Sequence, residues 1–147
     1  MENAYQALKK VFFDVHFLTA LLLGPLVWLV LYLWVRPAVS VAGIQMLLMV
    51  CLIYPVLEEL AFRGFVQTWL LEKPQFAQMP VAGLSYANVA TSILFAGAHL
   101  LNQPLFWAVS IFFPSLVFGY FRDRHDLVWP SIILHCWYNT GFFLLLR

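Results

Sequence analysis

Residues 41–71 read VAGIQMLLMVCLIYPVLEELAFRGFVQTWLL, and this stretch decides the class of fold. From Val41 through Val56 it is predominantly apolar and long enough to enter a hydrocarbon core about 30 Å thick as a helix. Glu58, Glu59 and Arg63 then appear, yet the helical pattern runs on toward Leu71. Three charges therefore sit in or beside a bilayer. The whole chain agrees: 63% of its 147 residues are hydrophobic, only 10% are charged, and the mean hydropathy is +0.85. Soluble domains carry charge on about a quarter of their residues. Water is not the main solvent of this protein.

Working outward, a first span runs from about Phe17 to Val35 and is closed by Arg36-Pro37, with Gly24-Pro25 placed to kink it. The sixteen residues before it carry Glu2, Lys9, Lys10, Asp14 and His16, with no small-residue cleavage site, which predicts a retained span. Residues 72–82 contain Lys73-Pro74 and Met79-Pro80 and form the principal loop. A shorter third span follows from about Leu84 to Leu101, rich in small residues that let helix backbones approach. The fourth runs from about Leu105 to Phe121 and ends at Arg122, and the fifth from about Leu127 to Leu146. The expected fold is all-α, a polytopic transmembrane helical bundle of about five spans in one domain covering 1–147.

Lys9, Lys10, Lys73, Arg122 and Arg124 fall on one side of such a topology, against Arg36 and Arg147 on the other. The positive-inside rule then places the N-terminus in the cytoplasm. A net charge of +1 without a basic cluster excludes nucleic acid as a partner. Cys51 and Cys136 both lie in apolar sequence, where cysteine acts as a small hydrophobe.

Three clusters place ionisable or amide groups in apolar sequence: Glu58-Glu59-Leu-Ala-Phe-Arg63, Phe95-Ala-Gly-Ala-His99 and His135-Cys-Trp-Tyr-Asn139. A charge at the bilayer centre costs about 2.5–3.5 kcal/mol on insertion scales, so such groups face the protein interior and mark functional sites. Glu59 and Arg63 share a helix face at four-residue spacing and can pair; Glu58 points about 100° away and is left to act as a base. The plainer reading has both glutamates capping the end of a span. His135 and Asn139 repeat the four-residue spacing and offer two donors to one oxygen, as an oxyanion requires. The plainer reading there is a polar zipper between helices. His99 alone is compatible with an ordinary buried histidine.

Taken in order, Glu-Glu-x-x-x-Arg, Phe-x-x-x-His and His-x-x-x-Asn on separate spans resemble the motif series of the CPBP (CAAX protease and bacteriocin-processing) family, over about Leu57 to Gly141. Gly64 and the Pro130–His135 approach to the third motif also look like the family. The resemblance implies an intramembrane endopeptidase in which Glu58 and His99 activate water and His135 with Asn139 stabilise the oxyanion. Glu59 and Arg63 match the accompanying positions of the first motif. It implies no cofactor, or alternatively zinc held by Glu58, His99 and His135. The substrate would be a membrane-anchored protein or peptide. The chain looks more like short bacterial members linked to C-terminal sorting signals than like prenyl-protein (CAAX) enzymes, with bacteriocin maturation or immunity a further alternative. The implied location is a bacterial cell membrane. Outside the family, a proton-coupled carrier component or a noncatalytic membrane subunit would also bury such residues.

This reading makes a geometric demand. Glu58 lies late in the second span and His99 late in the third, so two complete antiparallel crossings would separate them. They can share a water only if the second helix continues past Arg63 toward Leu71, or if the third span is tilted, shifted or re-entrant. A polar cavity is expected between these helices.

Overall fold

A computed structural model describes residues 4–35, 43–80 and 82–145, and every regular element among them is a helix. The expected closure at Arg36-Pro37, the start at Val41 and the last residues Leu146 and Arg147 lie outside the described residues, as does Glu2. The helices are α1 (Ala4–Phe12), α2 (Val15–Val35), α3 (Ile44–Leu71), α4 (Tyr86–His99), α5 (Leu105–His125) and α6 (Trp129–Leu145). The fold is all-α, as the sequence leads one to expect. Three helices are long and apolar enough to cross a membrane: α2, α3 and α5. At 1.5 Å per residue, the 14 residues of α4 reach roughly 21 Å, short of a full hydrocarbon core, and the 17 of α6 roughly 26 Å, at the lower end of spanning length.

Contacts divide the chain into two compact units, Met1–Val56 with Ile133–Arg147, and Leu57–Ile132. In the first unit, Asp14 starts α2 by accepting a hydrogen bond from the His16 backbone N–H at 2.9 Å. Phe12 meets Phe17 edge-on across this cap, so α1, absent from the sequence reading, is tied to α2. Phe17, Ala20, Gly24 and Trp28 form the buried stripe of α2 at three- and four-residue spacing. Leu22, Leu26, Leu29 and Leu33 lie outside it, exposed as a lipid-facing surface would be.

Pro25 cannot donate to the carbonyl of Leu21, four residues earlier. Trp137 of α6 supplies that donor through Nε1 at 3.0 Å, and Tyr138 donates its hydroxyl to the carbonyl of Ala20 at 2.8 Å. In an apolar medium such substitutes are required, since no water reaches an orphaned carbonyl. Gly24 and Gly141 make the approach possible. A Cβ on Gly141 would overlap the Trp28 ring, and one on Gly24 would touch Trp137.

In the second unit, α3 and α4 pack with α5. Ser85 caps α4 by accepting from the Asn88 N–H at 2.9 Å. The sequence ends the fourth span at Phe121, but α5 runs one turn further. Arg122 donates to Asp126 and to Thr68, and Asp123 accepts from Gln67 and from the Ser85 N–H. With partners on neighbouring segments, these charges need not leave the helix for a loop. The helix stops at Asp126, which takes the left-handed conformation with φ 54°.

The α3 helix is continuous but not uniform. Met49–Ile53 and Leu60–Gln67 are wound as π-helix, which the sequence did not announce. Wider turns of this kind are rare and frequently accompany functional sites.

The steric account of Gly141 yields a test. Gly141→Ala should lower thermal stability in detergent by about 1–3 kcal/mol through overpacking. Gly97→Ala, where a Cβ meets nothing within 4 Å, should be neutral or stabilising by about 0.5–1 kcal/mol. Equal melting of the two variants would contradict the packing of α6 on α2.

Candidate active site

The first motif lies on α3, half in each winding. Fourteen residues separate Glu58 from Ile44 and thirteen from Leu71, so Glu58 stands at mid-helix, as the geometric demand requires. Glu59 and Arg63 are fully buried and pair with Oε2 and Nε 3.3 Å apart. Arg63 is held from several sides. Nη2 donates to the Ser115 carbonyl at 2.8 Å and reaches Ser115 Oγ at 2.6 Å. The guanidinium lies over Phe95, 4.6 Å from the ring centre, and near Phe118 at 5.7 Å. One arginine thereby fastens α3 to both α4 and α5.

Gln67, one step further along the same stripe, donates through Nε2 to the Gly119 carbonyl at 2.9 Å and to Asp123 Oδ1 at 2.7 Å. Asn88 donates to the Leu116 carbonyl and accepts from Ser92. Sequence reading missed this polar layer. Its signal was present: Glu59, Arg63 and Gln67 recur every four residues. Gly119 is glycine because a Cβ there would overlap the Asn88 amide.

The second motif is reached through aromatic contact. Phe62 on α3 and Phe95 on α4 meet edge-on, with ring centres 5.0 Å apart. Ser85 at the start of α4 shares Asp123 with Gln67, late in α3, while Phe95 meets Phe62, so the two helices run antiparallel. One turn beyond this contact in either direction of chain lie Glu58, four residues before Phe62, and His99, four after Phe95. Antiparallel register therefore brings the two to the same level. His99 Nδ1 lies 2.8 Å from the Phe95 carbonyl. A carbonyl only accepts, so Nδ1 carries the proton, and in the neutral ring Nε2 keeps its lone pair.

The third motif belongs to the other unit. His135 is nearly fully buried, and Asn139 donates through Nδ2 to the Val50 carbonyl at 2.9 Å. That unit also carries an open groove of about 320 Å³ lined in part by Leu48, Leu52, Leu144, Cys51, Cys136 and Thr140. It is apolar, unlike the polar hollow expected beside Glu58. Cys51 and Cys136 form no disulfide. Within either unit by itself, no group of three or more His, Cys, Asp or Glu among the described residues is placed to hold a metal.

A family model, type II CAAX prenyl endopeptidase Rce1-like, matches residues 39–141, which include all three motifs and most of the chain. The chain belongs to this family. No curated protein and no solved structure matches it. Membership makes the protein a peptidase of the intramembrane endopeptidase class, acting on membrane-associated protein substrates. The clusters picked out for charge in apolar sequence thus fall within the part of the chain that carries the family likeness.

Removing either partner of the buried pair leaves an uncompensated charge. Arg63→Ala and Glu59→Ala should each cost about 3–5 kcal/mol of stability. Ser115→Ala removes only a hydroxyl partner and should cost about 1 kcal/mol. Thermal unfolding in detergent checks both, and wild-type melting of the Arg63 variant would refute the hub.

Proposed function

We propose that this Rce1-like endopeptidase cleaves its substrate by direct attack of a water molecule activated by Glu58 and His99. The observation that supports it best is the register of α3 against α4, set by Phe62 and Phe95, together with the Nδ1–H of His99 bound to the Phe95 carbonyl. A mid-helix carboxylate and an imidazole with a basic Nε2 at one level are the pair that proton removal from water needs.

Glu58 takes a proton from water while the water oxygen bonds to the scissile carbonyl carbon. The carbonyl π electrons move to oxygen, and that oxyanion is met by His135 and Asn139 as hydrogen-bond donors. Collapse expels the amine, which receives the proton held at Glu58. Glu59 and Arg63 stay outside these transfers and keep Glu58 at its depth. No covalent acyl-enzyme forms.

The zinc alternative uses the same residues. One carboxylate and two imidazoles, Glu58, His99 and His135, are the donor types of a catalytic zinc site, and a backbone bond at Nδ1 is how zinc-ligating histidines are oriented. Zinc would supply Lewis-acid polarisation of the substrate carbonyl.

The substrate proposed is a membrane-anchored protein cut at a C-terminal sorting signal, with the N-terminus of the enzyme in the cytoplasm. The family description favours a prenylated C-terminus as the second reading.

Proteoliposomes holding wild type, Glu58→Gln, His99→Ala or His135→Ala, supplied with an anchored sorting-signal peptide and a farnesylated peptide, decide among these. Loss of cleavage by roughly 100-fold or more in each variant, with resistance to chelator, is expected. Chelator sensitivity reversed by zinc would replace glutamate chemistry with metal chemistry. Undiminished cleavage in the Glu58 and His99 variants would end the proposal, and the preferred peptide names the substrate class.

A further inference from the structure

Asn139 is bonded to a carbonyl that the backbone of α3 cannot serve. In an α-helix, the Val50 carbonyl would accept from the N–H of Tyr54. Met49–Ile53 is π-wound, however, and the Tyr54 N–H instead reaches back five residues to Met49. In that wider ladder the donor for Val50 would be residue 55. Residue 55 is proline, with no N–H to give. The π turn and the proline together therefore strip Val50 of both its backbone donors, and Asn139 Nδ2 fills the place at 2.9 Å.

We propose that the Val50 carbonyl, freed by the π turn and Pro55, is a positioning group that fixes the Asn139 carboxamide for its part in the oxyanion pair. This rests on reading His135 and Asn139 as that pair. A carboxamide has two N–H bonds in one plane. Committing one to Val50 fixes the plane and the direction of the other, which a freely rotating side chain would have to settle during the reaction. Donors fixed beforehand stabilise developing charge better than donors that must reorganise. The same part of α6 uses Trp137 on the carbonyl freed by Pro25, so the segment His135–Asn139 is held on two helices by donors to proline-orphaned carbonyls. All of these residues belong to one unit.

The test restores the missing N–H. Pro55→Ala and Pro55→Leu both supply a backbone donor that competes with Asn139 for Val50, and both suit a helix. Full-length protein in proteoliposomes, assayed with the anchored peptide, should show kcat lowered roughly tenfold with KM unchanged, since only an interaction strengthened in the transition state is disturbed. Adding Asn139→Ala to Pro55→Ala should leave activity at the level of Asn139→Ala alone. The side-chain amide protons of Asn139, followed by NMR in detergent, should exchange faster in the Pro55 variants than in wild type.

Wild-type kcat in folded Pro55 variants, or unchanged amide exchange, would overturn the proposal. So would a double variant more active than Asn139→Ala, because Asn139 would then serve only to satisfy Val50. Failure of the underlying reading looks different: Asn139→Ala itself would cleave at the wild-type rate while the Glu58 and His99 variants stay inactive.

Discussion

A guanidinium removed from both water and lipid has to be answered by the protein, and the Leu57–Ile132 unit is arranged around that constraint. Arg63 takes a carboxylate from its own helix, a carbonyl and hydroxyl from Ser115, and the face of Phe95. The partners on α4 and α5 reach the arginine in the observed arrangement of the three helices. Breaking such a pair is costly because the remaining charge stays buried, whereas its net contribution relative to an apolar core is modest. The consequence is specificity of register. Phe95 carries the arginine over its ring and meets Phe62 in a T-shaped contact, and the positions one turn away are Glu58 and His99.

The Met1–Val56 and Ile133–Arg147 unit solves a different problem. Prolines in α2 and α3 deprive the carbonyls of Leu21 and Val50 of their backbone donors, and hydrocarbon offers no replacement. Trp137 and Asn139 answer them from α6. Proline is often described as a break in a helix. In this unit each proline also creates an acceptor, and the acceptors specify where α6 lies and how its polar side chains are turned. Glycine completes the arrangement, since Gly24 and Gly141 leave room for the indole rings.

These two solutions bear on how a small membrane enzyme assembles its chemistry. The residues proposed to activate water sit on helices that Arg63 fastens together through Ser115 and Phe95, and the proposed oxyanion donors sit on a helix fastened to orphaned carbonyls. Neither fastening uses the residues proposed to react, apart from Asn139, whose carboxamide keeps a second N–H beside the one given to Val50. The π-wound segments fall next to both sets, at Met49–Ile53 and Leu60–Gln67. A wider turn frees carbonyls and turns side chains away from α-helical directions, which is why such segments accompany functional sites.

The sequence by itself determined the solvent, the all-α class, the continuation of α3 through Glu58 to Leu71, the order of the three motifs and the likeness to their family. It also determined that Glu59 and Arg63 share a face. The family likeness rests on the resemblance of three motifs on separate spans; the rest follows from composition or from spacing along one helix, where 3.6 residues per turn fixes which side chains are neighbours. The tertiary structure decided what spacing cannot contain. It gave Ser115 and Phe95 to Arg63 and turned Gln67 and Asp123 into a buried layer. It kept Arg122 and Asp123 inside α5, widened the turn after Leu48 and sent the amide of Asn139 to Val50. The reason is that a hydrogen-bond vacancy is filled by whichever helix lies against it, and which helix that is depends on packing between residues far apart in the chain.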